Sequence, residues 1–287
     1  MQYKHAFHAG NFADVHKHIS LLQVIEALQK KSKGFFFLDT HAGEGLYDLG
    51  SVEARQGGES AKGITQLERA SAASSVEATA IQRYLDAIQN IRHAHAARNL
   101  YPGSPLLAAM ALRDVDRCCC VESQASTSRA LQRAFEGSAA LLHTSPEVIL
   151  GDGYHEVSSQ LPPVLRRGLV LIDPPYESTE EEKQLAAALA AGLTRFETGV
   201  FALWYPIKRQ HDADLFLARL LRGVRRPALA AELCVRTADH AAGLNGSGML
   251  LVNPPWQFDE EARAWQEELH ALLGGSGGST VKWLIHE

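Results

Sequence analysis

Short apolar runs that stop at an acidic residue recur along this chain, and they constrain its fold more than any other feature. Phe35-Phe36-Phe37-Leu38 runs into Asp39, and Gly168-Leu169-Val170-Leu171-Ile172 runs into Asp173. Runs this short and this uniformly apolar read as strands buried on both faces of a parallel sheet. Further candidate strands lie at 117–122, 147–151, 198–205, 230–236, 248–253 and 281–285, with helices expected near 126–136, 180–193, 213–222 and 260–273. A first helix is expected from about residue 12 to 31, capped by Asn11 with Asp14 as its acidic third residue. Val15, Ile19, Leu22, Ile25 and Leu28 form its apolar stripe. Strands and helices in alternation argue an α/β fold with a doubly wound, mostly parallel sheet, and the last two strands are expected to form a late antiparallel pair.

The alternation breaks between residues 47 and 101. Residues 50–63 read as a polar loop, and Ile81, Leu85, Ile88 and Ile91 mark an amphipathic helix. Leu100-Tyr101-Pro102-Gly103-Ser104-Pro105 closes the stretch with turn chemistry. The expected organisation is a core of residues 1–46 and 102–287 with a helical subdomain inserted at 47–101. With 287 residues, 46% of them hydrophobic, the chain can fill one large core.

No apolar run is long enough to cross a bilayer, and Met1-Gln2-Tyr3-Lys4-His5 lacks a signal-peptide core. A cytoplasmic monomer without a membrane partner is expected. Cys118, Cys119 and Cys120 are consecutive; neighbours on a strand face opposite ways, so buried thiols are expected rather than a disulfide or a zinc cluster. The net charge of −5 speaks against a nucleic-acid partner, because phosphate binding draws on excess Lys and Arg. Local charge matters more than the total: Lys4, Lys17, Lys30, Lys31, Lys33 and four histidines are opposed only by Asp14 and Glu26 between residues 4 and 33.

Asp173-Pro174-Pro175-Tyr176 carries the chemistry. An exocyclic adenine amino group is a poor nucleophile because its lone pair is conjugated into the ring. Two acceptors for its protons restore that lone pair, and the Asp173 carboxylate and the Pro174 carbonyl are placed to be those acceptors. Consecutive prolines hold the backbone rigid, and Tyr176 offers an aromatic face for a base. The motif sits at the C-terminal end of a strand, where open α/β sheets bind ligands. Asn253-Pro254-Pro255-Trp256 imitates it, but at a later, peripheral strand, so the catalytic role falls to Asp173.

The same topology places a cofactor. The turn from His41 to Gly45 lets backbone approach a ligand closely. Glu122 ends the next strand, where an acid accepts from ribose hydroxyls, and Asp152-Gly153 ends the third, suited to an adenine amino group. Each acid could equally cap a helix; together they favour a nucleoside cofactor. His16 and His18 lie two apart on a helix and face different ways, so no metal is expected.

Tyr3-Lys4-His5, Phe7-His8-Ala9-Gly10-Asn11, Ala13-Asp14-Val15 and Lys17-His18 resemble the N-terminus of the bacterial 23S ribosomal RNA adenine(2030)-N6 methyltransferase family, RlmJ. Leu38-Asp39-Thr40-His41-Ala42-Gly43, Tyr101 to Pro105, Leu161-Pro162-Pro163, Arg166-Arg167-Gly168, Ile172 to Tyr176, Ala202-Leu203-Trp204-Tyr205-Pro206 and Ser247-Gly248-Met249 extend the likeness. The resemblance implies a Rossmann-like class I fold with a helical insertion. It implies S-adenosylmethionine, and S-adenosylhomocysteine as product, at His18, His41, Ser104, Glu122, Asp152, Gly153 and Asp173, with Lys17 nearby. Asp173, with Pro174 and Tyr176, would be catalytic, and Tyr3 and Lys4 would meet the RNA. The implied substrate is 23S rRNA that is protein-poor or incompletely assembled. His16 and Glu44 depart from otherwise matching blocks. On residues alone, a DNA adenine N6-methyltransferase and a non-catalytic nucleic-acid-binding protein on the same fold stay open.

Overall fold

The structure is a computed structural model and describes residues 4–176, 179–237 and 243–286. After a 3-10 turn at His5–Phe7 comes α1 (Phe12–Gln29), then β1 (Phe36–Asp39). β2 (Leu46–Asp48) and β3 (Leu100–Pro102) pair antiparallel as a separate two-stranded ribbon. Between them lie α2 (Val52–Gly57), α3 (Ile64–Ala73) and α4 (Thr79–Ala94). The chain continues through α5 (Ser104–Ala111), β4 (Arg117–Glu122), α6 (Ala125–Gly137), β5 (Glu147–Leu150), α7 (Gly153–Gln160) and β6 (Gly168–Ile172). It ends with α8 (Thr179–Arg195), β7 (Val200–Ile207), α9 (Gln210–Leu220), β8 (Ala228–Cys234), β9 (Gly246–Val252), α10 (Phe258–Leu273) and β10 (Gly278–Ile285). Among the described residues no helix is long and apolar enough to cross a membrane.

The main sheet runs β10-β8-β9-β7-β6-β1-β4-β5. β5, β4, β1, β6 and β7 are mutually parallel, while β9 runs antiparallel to both β7 and β8. The expected doubly wound sheet with a late antiparallel strand is present. The expected pairing of the last two strands is not: β10 pairs antiparallel with β8, which separates it from β9. β9 turns back from β8 and takes the place beside β7. That leaves the outer edge of β8 exposed, and β10, packed under α10, covers it.

Period-two alternation divides the core. Leu169 and Leu171 of β6 join a cluster with α1, α4, α5 and α10, whereas Val170 and Ile172 join one with α8 and α9. β4 behaves likewise, with Cys118 and Cys120 on the first face, their sulfurs 3.7 Å apart, and Cys119 on the other. All three are buried free thiols.

Two local expectations are corrected. Residues 50–63 are not a loop. Ser51 caps α2 through the amide of Ala54, Gly58 takes the left-handed backbone that ends it, and a 3-10 turn follows at Glu59–Lys62. α1 is not a one-striped helix, because every residue from Phe12 to Ile25 is buried. The helix is wedged between β9 and the helices α4, α5 and α10. Its Asn11 cap stands as expected, accepting from the Asp14 amide at 2.8 Å. Ile64, Leu67, Ile81, Tyr84, Ile88 and Ile91, all between β2 and β3, share the cluster that α1 fills.

Strand direction disposes of the second Pro-Pro motif. Asn253 follows antiparallel β9, so it lies at the sheet end opposite Asp173. Its backbone is left-handed (φ 55°), and its amide nitrogen donates to the carbonyls of Glu197 (2.9 Å) and Gly199 (2.8 Å). It is a turn that ties β9 to the start of β7. Asn253→Ala removes both bonds and puts a Cβ-bearing apolar residue in a left-handed position, so it should lower the free energy of urea unfolding by about 2 kcal/mol. Unchanged stability would show that these bonds do not hold the turn.

Candidate active site

The C-terminal ends of β1, β4 and β6 and the first turns of α1 enclose a cavity of about 1310 Å³. Lys4, Lys17, His18, His41, Ser104, Glu122, Asp173, Pro174 and Tyr176 all lie on its wall. Tyr3 lies outside the described residues.

One buried cation joins two parts of this wall. Lys17 Nζ donates to Asp14 Oδ1 at 2.9 Å and to Asp173 Oδ2 at 2.5 Å. Asp14 also accepts from the Gly10 amide at 3.0 Å and lies 3.0 Å from Nε2 of His5. Burial alone would strip Lys17 of its proton, but Asp14 and Asp173 outweigh it and hold the ammonium well above the usual lysine range. Burial likewise opposes ionisation of Asp14, and His5 and Lys17 hold it well below the usual carboxylate range. A buried charge is stable only when its partners are in place, so the three groups set one another's positions.

The turn after β6 is conformationally demanding. Tyr176 adopts φ 53°, a region that bulky residues avoid at a cost of about 1–2 kcal/mol. Its hydroxyl donates to the carbonyl of Trp204 at 2.5 Å, and its ring meets Trp204 and Phe216 edge-on. Trp204 lies on the same cavity wall, 5.9 Å from Lys17 Nζ at its ring centre, and its indole donates to Ser247 Oγ at 2.9 Å. His16 Nδ1 meets the same hydroxyl at 2.9 Å. His16 therefore faces β9, while His18, two residues on, faces the cavity.

On the other side, Glu122 Oε2 accepts from the Gly43 amide at 3.1 Å and Oε1 from the Gln124 amide at 2.8 Å. Gly43 has φ 66°, and a Cβ there would meet the Tyr47 hydroxyl at 2.5 Å. Ser104 Oγ donates to Asp39 Oδ2 at 2.7 Å, and burial pushes the Asp39 carboxyl up to about 7. Asp152 and Gly153 are not on the wall. Asp152 Oδ1 caps α7 by accepting from the Tyr154 amide at 2.9 Å, and Tyr154 holds His41 in an edge-on ring contact. Gly153 is required where α7 starts, because a Cβ would lie 2.0 Å from the Thr40 carbonyl oxygen. His18 Nδ1 lies 3.0 Å from the Tyr101 hydroxyl, and its buried Nε2 has no protein partner among the described residues.

An unpartnered buried nitrogen on a residue that lines a cavity points to a polar ligand. With the Glu122 carboxylate and the glycine turn beside it, the wall suits a nucleoside cofactor. Asp14, Asp39 and Trp204 were not singled out as site residues from sequence. Asp39 ends an apolar run as Asp173 does, which is the one available signal; Asp14 reads as a helix cap, and Trp204 lies inside a strand.

The family model described as ribosomal RNA large subunit methyltransferase D, RlmJ, matches residues 32–285. Ribosomal RNA large subunit methyltransferase J of Escherichia coli (strain K12) is 36% identical over the whole of both chains. The protein of the same name from Haemophilus influenzae Rd is 38% identical, again over the whole of both. A solved protein of Legionella pneumophila str. Philadelphia 1 superposes with a TM-score of 0.84 at 30% identity, covering 98% of this chain and 99% of that one.

The buried histidines make stability pH-dependent. Burial pushes His16 from 6.5 down to about 3, so it is neutral in the fold and regains its ordinary value on unfolding. Below 6.5 the unfolded chain binds the extra proton, so the stability is whole above 6.5 and is lost as pH falls toward 3. His16→Gln should flatten the dependence of urea-unfolding free energy on pH between about 6.5 and 5, by up to about 1.4 kcal/mol per pH unit. Equal slopes in both proteins would show that His16 takes up its proton within the fold.

Proposed function

Because the chain belongs to the RlmJ family of ribosomal RNA large subunit methyltransferases, we propose that it methylates 23S ribosomal RNA from S-adenosylmethionine. The target is N6 of one adenine, adenine 2030 by family resemblance. The observation that carries this reading is Asp173 at the end of β6, on the cavity wall with Pro174 and Tyr176 and hydrogen-bonded to Lys17.

When bound, S-adenosylmethionine supplies a methyl group on a sulfonium, open to in-line displacement. The protein's task is orientation and charge. Lys17 occupies Asp173 Oδ2, which leaves Oδ1 to accept one N6 proton. The Pro174 carbonyl accepts the other, and N6 turns its lone pair toward the methyl carbon. The methylated N6 would shed one proton along its hydrogen bond to Asp173 Oδ1, from which it would pass to solvent. Tyr176, held by Trp204, provides the face for the target base.

Glu122 receives the cofactor's ribose hydroxyls, and His18, His41 and Ser104 line the rest of its bed. Asp152, next to the wall through the Tyr154–His41 contact, caps α7 by Oδ1 and keeps Oδ2 for an adenine amino group, and Gly153 lets α7 start close against Thr40. Lys4 on the cavity rim meets the RNA, and Tyr3 joins it by family resemblance. Residues 47–101 form an inserted helical subdomain, and residues 1–46 and 102–287 form the core. The substrate is protein-poor 23S rRNA, because the target base must be splayed out of its stack to reach Asp173. The enzyme works as a cytoplasmic monomer.

Labelled S-adenosylmethionine offered with protein-free 23S rRNA and with duplex DNA should label the RNA. Asp173→Ala should stay folded with a lowered melting temperature, because Lys17 loses one of its two carboxylate partners, and should lose at least about a hundredfold in rate. Label on DNA alone would overturn the substrate assignment, and a fully active Asp173→Ala would overturn the role of Asp173.

A further inference from the structure

A buried relay runs from the inserted helices to the cavity. The Tyr84 hydroxyl on α4 lies 2.9 Å from the Tyr101 hydroxyl on β3, which lies 3.0 Å from Nδ1 of His18. All three side chains are sealed from solvent apart from the cavity, and His18 Nε2 has no protein partner among the described residues. Burial pushes the His18 pKa down to about 3, so the ring is neutral and owns one proton.

Distances alone do not say which atom donates, but counting protons and noting which relay residue lines the cavity does. With the His18 proton on Nδ1, the ring donates to Tyr101 and Tyr101 donates to Tyr84. The Tyr84 proton is then buried with no acceptor among the described residues. With the proton on Nε2, Tyr84 donates to Tyr101 and Tyr101 donates to Nδ1. Both hydroxyl protons then have acceptors, and the one left over sits on Nε2 of His18, the one relay residue on the cavity wall. Each arrangement leaves one buried donor without a protein acceptor among the described residues, but only in the second does that donor belong to a residue on the cavity wall, where a ligand can supply the acceptor.

We propose that Tyr101, backed by Tyr84, is a positioning residue that holds His18 as the Nε2–H tautomer and makes it a hydrogen-bond donor to the carboxylate of S-adenosylmethionine. This rests on the cofactor reading above. The carboxylate is the cofactor's one anionic group and its strongest acceptor. Glu122 and Asp173 on the same wall are acceptors, suited to hydroxyl and amino protons instead. The relay gives the inserted helices a part in cofactor binding without touching the cofactor.

Nitrogen-15 NMR of histidine-labelled full-length protein without cofactor reads the tautomer, with the His18 signals identified by their absence in His18→Gln. The wild type should show a protonated Nε2 and an acceptor Nδ1; the reverse would overturn the proposal. In Tyr101→Phe the His18 signals should move to a mixture of tautomers, which a merely structural role would not produce. Calorimetry should show S-adenosylhomocysteine binding about tenfold weaker in Tyr101→Phe, and within about threefold of wild type in Tyr84→Phe, where Tyr101 still donates. Equal binding by Tyr101→Phe and wild type would overturn the inference alone. Failure of the wild type itself to bind S-adenosylhomocysteine would overturn the cofactor reading beneath it.

Discussion

The Lys17 ammonium, shared between Asp14 and Asp173, is the contact on which the site depends. Asp14 belongs to the first turn of α1 and Asp173 to the end of β6, and 156 residues separate Lys17 from Asp173. No packing preference would fix two carboxylates at opposite ends of one ammonium. The pairing is set by the cost of burying any of the three charges alone, which makes the arrangement close to all-or-none. Through it the rigid helix fixes the position of the carboxylate proposed to face the target amino group.

That rigidity comes from the burial of α1 on all sides. Its polar residues are each engaged: His16 with Ser247 and Gln266, Gln23 with Trp265 and the Phe258 carbonyl, Ser20 with the His16 carbonyl. The helix is thereby keyed to β9 and α10 behind it, while Lys17 and His18 project forward. Ser247 links the two sides, since it also receives the indole of Trp204, which braces Tyr176. Most of the specificity of this site thus lies in hydrogen-bonded contacts between distant segments, with the apolar clusters supplying the bulk of the stability.

The parts legible in the sequence are those set by local pattern. β4 and β6 were readable because a strand buried on both faces must be a short apolar run, and Asp173 because such a run delivers its last residue to the ligand edge. The strand order beyond β7 was not readable, since the hairpin of β8 and β9 and the return of β10 depend on edges that only the assembled sheet presents. Five apolar positions in α1 imply a polar opposite face; what they cannot show is that His16, Ser20 and Gln23 have partners more than two hundred residues away or on their own backbone. Asn253 was set aside for a strand expected at the periphery, but β9 lies inside the sheet between β7 and β8, and the deciding reason is direction, as an antiparallel strand ends at the wrong edge. Asp152 shows why the two readings cannot be told apart in sequence, since a strand-end acid and a helix cap occupy the same place, and here Oδ1 makes the cap while Oδ2 takes no part in it.

The central claim is that this geometry delivers one methyl group to one exocyclic nitrogen. Nuclease digestion of 23S rRNA after reaction, followed by mass spectrometry of the fragments, tests it most directly. The account predicts a single N6-methyladenosine, confined to one fragment. Methyl groups on another base, on another atom of adenine, or spread over many fragments would contradict it.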